Sequence, residues 1–353
     1  MDARSRWALG PLAASLAALL AAGCFEVDYL LQAGEGQLDL ACRARSLSSA
    51  ADDPNLDPHT RRLLAEVPRV KAFGVGAGLV ATDNYDDFVE LDQKSVVWVV
   101  SAAPELSLTP KLWWLPIVGE VTYLGWFDRP MADRHGRALE AEGWDVDVRG
   151  SSAYSTLGFF EDPVLSTMLD DSPHAEGELT NIILHESVHA TVYVADQPDF
   201  NESVATFVGD QLTIAYLRER FGPASSQLAS WRAIEASNQK LRDRLHRAYV
   251  DLSAVYASPR TADEKRAEKA RYLSAVRREL DFPRPITNAT LTHYDTYHGS
   301  EREMAALLER CGGDLERMIA VVKRLTASDF RRKHDEDLQP LVERLASRCQ
   351  TLP

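Results

Sequence analysis

His185, Glu186 and His189 stand in the order His-Glu-x-x-His inside the run Asn181-Ile182-Ile183-Leu184-His185-Glu186-Ser187-Val188-His189-Ala190. Four residues of α-helix turn through about 400°, so imidazoles at positions i and i+4 leave the helix on one face and can share one metal ion. Glu186 falls on the neighbouring face. From there it reaches a water molecule at the ion rather than the ion itself, which is where a general base has to stand. After Val194, the turn-forming stretch Ala195-Asp196-Gln197-Pro198-Asp199 precedes Asn201-Glu202-Ser203-Val204-Ala205-Thr206-Phe207, which opens another helical run. A helix, a turn and a returning helix can bring Glu202 back to the two histidines. Two imidazoles and one carboxylate leave the fourth position of a tetrahedral Zn²⁺ to solvent, the open arrangement of a catalytic centre. The bland alternative is a pair of satisfied core histidines and an acid near a helix N-terminus, where the dipole favours it.

The elements around these residues follow from hydrophobic periodicity. Ile182, Ile183, Leu184, Val188 and Ala190 make the motif helix apolar on several sides, as expected of a helix at the floor of a cleft. Beyond Glu176 the pattern predicts helices over 178–194, 202–221, 225–256, 262–280, 301–311, 314–325 and 338–349, with a loop over 281–299 where Pro283, Pro285 and Asn288 fall. Upstream, a helix or two is expected over 28–47, and another over 59–67 with Asp57 as cap and Pro58 in the first turn. The β-branched and aromatic run 95–102 reads as a buried strand. Strand, helix and strand are predicted over 120–127, 131–142 and 144–148, with 153–158 as a further extended piece or hairpin. The expected fold class is α+β and mostly helical, with a small sheet beside the motif helix and a helical C-terminal half.

With 353 residues, 45% hydrophobic and 26% charged, the chain has ample material for a core. Its formal net charge of -14 repels a polyanion, which argues against a nucleic-acid partner. At the N-terminus Arg4 and Arg6 precede an uncharged apolar stretch from Trp7 to Ala22, then Gly23 and Cys24. This reads as a signal peptide over 1–23, since a membrane-spanning helix needs about 20 apolar residues. Leu20-Ala21-Ala22-Gly23-Cys24 resembles the lipobox of bacterial lipoproteins, although Ala21 stands where the family usually has Leu. The resemblance implies a lipidated Cys24 and an exported, membrane-anchored chain on the periplasmic or outer-membrane side. Of the other cysteines, Cys42, Cys311 and Cys349, two at most can pair with each other, and none stands in a Cys-x-x-Cys spacing.

His185 to His189 followed by Asn201-Glu202-Ser203-Val204-Ala205 resembles the gluzincin clan of metallopeptidases, and more closely a family of bacterial lipoproteins described as putative aminopeptidases. The resemblance extends to Gln37-Leu38-Asp39-Leu40, Ala102-Ala103-Pro104-Glu105, Ala153-Tyr154-Ser155-Thr156-Leu157-Gly158, Asp162-Pro163, and Asn288-Ala289 ahead of Thr296-Tyr297, and so covers most of the mature chain. It implies a zincin-like domain over 24–353, with N-terminal helices and the small sheet in 24–175 and the metal-binding helical part in 176–353. It further implies Zn²⁺ on His185, His189 and Glu202, Glu186 as base, and a peptide or protein as substrate. The spacer from Ala190 to Asn201 is shorter than in thermolysin-like or mammalian-type aminopeptidases, so their substrate rules do not transfer.

A transition-state oxyanion needs a donor besides the metal. Tyr154, Tyr294, Tyr297 and His298 are candidates, with Tyr297 and Tyr154 foremost. Asp210, about two turns after Glu202, is a candidate partner for a ligating imidazole. Glu105, Glu120 or Asp162 could hold a substrate α-amine. The function expected is zinc-dependent peptide hydrolysis, as an aminopeptidase. Two alternatives stay open: an endopeptidase of the same fold, and a zinc-binding envelope lipoprotein acting as scaffold or chaperone.

Overall fold

The computed structural model describes residues 28–115, 119–154, 161–296, 301–333, 335 and 337–351. The described chain is a mostly helical α+β structure with small sheets. Helix α1 covers 28–43 and is followed by β1 (Arg45–Ser46), α2 (Leu47–Ala51) and α3 (Pro58–Gly76). Asp57 caps α3, accepting from the backbone N–H groups of His59 and Thr60 at 2.9 Å each. The expected helix over 59–67 therefore has the right start but the wrong end, because α3 runs on through Pro68. Pro in a helix interior costs about 3 kcal/mol. Leu63, Leu64, Val67 and Val70 are all fully buried, and each contributes roughly 1.5–3 kcal/mol, so burial outweighs the proline.

Strands β2 (Asp87–Val89), β3 (Val97–Pro104), β4 (Trp113–Leu115), β5 (Gly119–Val121) and β6 (Tyr123–Trp126) come next, then α4 (Arg129–Ala141), β7 (Trp144–Ser151) and β8 (Val164–Leu165). The main sheet is antiparallel in the order β6-β3-β7, with Val100 opposite both Leu124 and Val148. The stretch expected as one strand over 120–127 is split: β5 pairs with β4 in a separate hairpin, and β6 joins the sheet. The third sheet, β1-β2-β8, consists of strands too short to announce themselves by pattern. On the main sheet Val100, Ala102, Leu124, Trp126 and Val146 pack with α4. Side chains alternate across a strand, so Ser101, Tyr123, Asp147 and Arg149 belong to the opposite face.

That opposite face is covered by a helix expected as a loop. Within the stretch 281–299, α9 (Asn288–Thr296) forms because Thr287 and Thr290 cap each other reciprocally, each backbone N–H donating to the other's hydroxyl at 3.1 and 3.2 Å. Asn288 is fully buried and pins the helix to the end of β3. The two N–H groups of its Nδ2 are shared among the carbonyls of Pro104, Glu105 and Ser107 at 2.9, 3.0 and 3.0 Å, and its Oδ1 accepts from the Tyr256 hydroxyl at 2.8 Å. The segments Ala102-Ala103-Pro104-Glu105 and Asn288-Ala289 thus meet in space.

The remaining helices are α5 (Ala175–Thr191), α6 (Pro198–Phe221), α7 (Ser226–Ala257), α8 (Ala262–Glu279), α10 (Glu301–Arg310), α11 (Leu315–Val322) and α12 (Gln339–Thr351). Leu179, Ile183, Leu184 and Val188 of α5 sink into the largest core with α3, α6 and α10 to α12, while α7, α8 and α9 enclose a separate one. Gly177 lets α7 approach, since a Cβ there would stand 2.8 Å from the Trp231 ring. A disulfide joins Cys311 to Cys349 across 38 residues, and Cys42 is free. No helix among the described residues is long and apolar enough to cross a membrane.

Candidate metal centre

His185, Glu186 and His189 lie in the last turns of α5, and Glu202 lies one turn into α6, which starts earlier than its periodicity predicts because Pro198 occupies the first turn. The connection is short and tightly held. Asn201, buried, clamps it: Oδ1 accepts the Val194 N–H and Nδ2 donates to the Val194 carbonyl, both at 2.9 Å. Asp196 turns the chain in the left-handed region at φ 60°, which Asp tolerates better than most residues. Gln197 ties the same turn to the C-terminal segment by donating to the Arg332 carbonyl at 2.7 Å and accepting the Asp335 N–H at 3.0 Å. Thr191 closes α5 by donating to the Ser187 carbonyl at 2.7 Å while accepting the Val80 N–H at 2.9 Å.

The two helices come together at Gly209, where a Cβ would stand 3.3 Å from the Cα of His185. That proximity brings Glu202 to the histidines. The two Nε2 atoms face each other at 3.1 Å; Glu202 Oε2 is 3.6 Å from His185 Nε2, and Oε1 is 3.6 Å from His189 Nε2. A tetrahedral zinc with Zn–N bonds of about 2.05 Å separates its nitrogens by about 3.3 Å, so the spacing fits one ion at the centre of the group. The donor set fits as well, because two borderline-soft imidazoles and one carboxylate suit a divalent transition metal. His189 is the most buried of the three at 8% exposure, against 18% for His185 and 25% for Glu202. Such a group could hold a metal ion.

The electrostatics are those of a mutually stabilised set. Burial works to raise the Glu202 pKa, but the close approach of His185 and His189 wins and holds its carboxyl well below the usual range. Burial also opposes the charged form of His185, and the close contact with Glu202 and the nearby charge of Glu186 raise its pKa nonetheless. Asp210 does not approach an imidazole closely enough to orient it; it accepts from Asn181 Nδ2 at 2.8 Å. Burial, then the neighbouring charge of Glu235, pushes its pKa up to about 7.

Glu186 is half-buried beside Tyr85 and Tyr123, whose hydroxyls both feel its charge. Tyr123 also feels Glu202. Neither tyrosine stands out in the sequence; only the alternation of β6, which sends Leu124 and Trp126 to the α4 side, points Tyr123 toward the site. Tyr154 packs edge-on against Phe127 at 5.2 Å, and burial, followed by the influence of Tyr29, Asp162 and Tyr123, pushes its pKa up to about 12. Tyr294 packs edge-on against His293 and Phe282, with ring centroids 5.4 and 6.3 Å away. Tyr297 and His298 lie outside the described residues, as do residues 155–158 and Cys24. Of the acids expected near a substrate amine, Glu105 is exposed and pairs with Arg266 at 2.8 Å, and Glu120 is exposed on β5. Asp162 is buried next to Tyr85, whose N–H donates to its carbonyl at 2.7 Å.

A second group, Asp170, His174 and Glu178, clusters at the start of α5. His174 stands at the N-cap position and lies 3.3 Å from Glu178, a carboxylate the helix dipole already favours there.

The family model described as putative aminopeptidase matches residues 28–336. No curated protein and no solved structure matches the chain.

Proposed function

Because the chain belongs to the putative aminopeptidase family, we propose that it is a zinc-dependent peptidase, an aminopeptidase in its finer description, with His185, His189 and Glu202 as ligands and Glu186 as general base. One observation carries the reading: two imidazole Nε2 atoms and both oxygens of one carboxylate converge on a point with the spacing of a single ion. The ion, when bound, supplies Lewis acidity that lowers the pKa of coordinated water and polarises the scissile carbonyl. Glu186, next to the ligand His185 but on the adjoining helical face, accepts the proton and returns it to the leaving amine. Tyr123 is better placed than Tyr154 to donate a hydrogen bond to the developing oxyanion, because its hydroxyl lies within electrostatic reach of both Glu186 and Glu202. Tyr297 keeps its candidacy from the family resemblance.

The same reading treats residues 24–353 as a zincin-like domain behind a cleaved leader, exported and anchored through a lipidated Cys24. The Cys311–Cys349 disulfide supports export, since such bonds persist in oxidising compartments. The substrate is then a peptide or protein of the cell envelope.

Replacing Glu186 by Gln separates binding from chemistry. The variant keeps the metal and loses roughly 10²- to 10⁴-fold in kcat on a peptide library, the range expected for a missing general base. Turnover equal to that of the parent would remove Glu186 from the chemistry.

A further inference from the structure

Charge is unbalanced on the face of the main sheet that looks toward the metal centre. Three charged side chains of β7 share that face: Asp145, Asp147 and Arg149. Asp145 is satisfied by Lys269 at 2.7 Å and by the Asn288 N–H at 2.6 Å. Asp147 is almost wholly buried and is gripped by both arms of Arg284, Nε to Oδ1 at 2.7 Å and Nη2 to Oδ2 at 3.1 Å. Arg149 is the remainder. Its Nη2 donates to Nδ1 of His293 at 3.2 Å, which fixes His293 as the Nε2-protonated neutral tautomer. Nη1 is buried and makes no hydrogen bond among the described residues; the nearest carboxylate oxygen, Asp147 Oδ2, is 3.6 Å away and already engaged by Arg284.

Two guanidinium groups therefore share one carboxylate, and one of them also contacts a neutral imidazole. A guanidinium cannot shed its proton to relieve the imbalance, so it stays charged. Sharing one carboxylate leaves the second guanidinium under-compensated in a largely buried position, which is costly. An anion arriving at this point recovers that cost. The cluster shares its sheet face with Tyr123, since Ser101 of β3 stands opposite both Tyr123 and Asp147, and the charge of Glu202 is felt at both Tyr123 and His293. The Arg149 side chain as a whole keeps 17% of its surface exposed. A substrate ammonium would meet repulsion there.

We propose that Arg149, positioned by His293, binds a carboxylate of the peptide substrate beside the metal centre, and that the chain prefers peptides carrying such a carboxylate. The inference rests on the peptidase reading for its substrate class. The carboxylate has two possible sources, the α-carboxylate of a short peptide or an acidic side chain. Arg149's planar fork suits either bidentately.

The test uses the full mature chain loaded with zinc and three matched short peptides: one neutral with a free C-terminus, the same peptide amidated, and an amidated version with Glu in place of a Gln. The parent chain should favour one of the two acids over the amidated neutral peptide by tenfold or more in kcat/KM, the range of one charged hydrogen-bonding contact. Whichever acid is favoured identifies the source. In Arg149→Gln that ratio should fall close to one, and in Arg149→Lys it should be partly retained. No preference in the parent, or an undiminished preference in Arg149→Gln, overturns the proposal. Titration of the parent and Arg149→Lys with glutarate and with its diamide gives a readout free of turnover and of any folding failure in the Gln variant. If no peptide is cleaved but the parent binds glutarate at least tenfold more tightly than its diamide, and Arg149→Lys keeps only part of that preference, the carboxylate site stands and the peptidase reading falls. Equal binding of glutarate and its diamide by the parent overturns the site.

Discussion

On α5 and α6 the polar groups that face the site are two imidazoles and two carboxylates, held by helix geometry and by a clamped turn of a few residues. On β6, β7 and α9 they are a phenol, a guanidinium and an imidazole, and the Arg149–His293 contact joins positions 144 residues apart. The first side is suited to a cation and the second to an anion, which is the charge pattern a polarised peptide bond near a carboxylate would meet. The two sides also differ in how they are kept in place. Glu202 reaches the histidines because Asn201 fixes the turn and Gly209 lets the helices touch, so the ligand geometry depends on local backbone contacts. Arg149 depends on the packing of α9 across the sheet, secured at its start by Asn288.

This difference can be broken at the turn. Asn201→Ala leaves the N–H and carbonyl of Val194 buried without partners, and unsatisfied groups of that kind cost about 1–3 kcal/mol each. Chemical denaturation should show a loss of roughly 2–4 kcal/mol, with zinc held at least tenfold more weakly, while the preference for a substrate carboxylate stays as it is. An unchanged zinc affinity would mean that Glu202 is positioned by α6 alone.

Legibility followed the same division. His-Glu-x-x-His and the Asn-Glu pair that follows are readable because one helical turn and one short connection convert sequence spacing directly into geometry. The long helices α6, α7 and α8 were readable too, since their periodic stripes run for many turns. What could not be read was set by contacts distant in sequence. Pro68 signals the end of a helix, yet four fully buried neighbours carry α3 past it. Pro283 and Pro285 signal a loop, yet Thr287 and Thr290 start α9 just beyond them. Tyr123, Arg149 and His293 have no shared spacing that could announce a site. The role of Asp210 changed as well, from a partner for an imidazole to an acceptor for Asn181.

Asp210 gives a smaller, pH-dependent way to sharpen the comparison. Burial and the charge of Glu235 raise its pKa to about 7 in the folded chain, above the ordinary carboxylate value of about 3.9 in the unfolded one. Stability associated with its neutral form is fully present below about pH 4 and is lost as pH rises through 7. Asp210→Asn, which keeps an acceptor for Asn181, should match the parent in Tm near pH 4 and exceed it by a few degrees at pH 8.5. A Tm difference that does not grow over that interval would show that Asp210 is not held neutral by its surroundings.

Metal content tests the central claim most directly. Purified mature chain, loaded with zinc and dialysed against metal-free buffer, is expected to retain one equivalent per chain by elemental analysis, as is Glu186→Gln. The double variant His185→Ala, His189→Ala should retain none. One equivalent retained by that double variant would place the metal elsewhere and contradict the account.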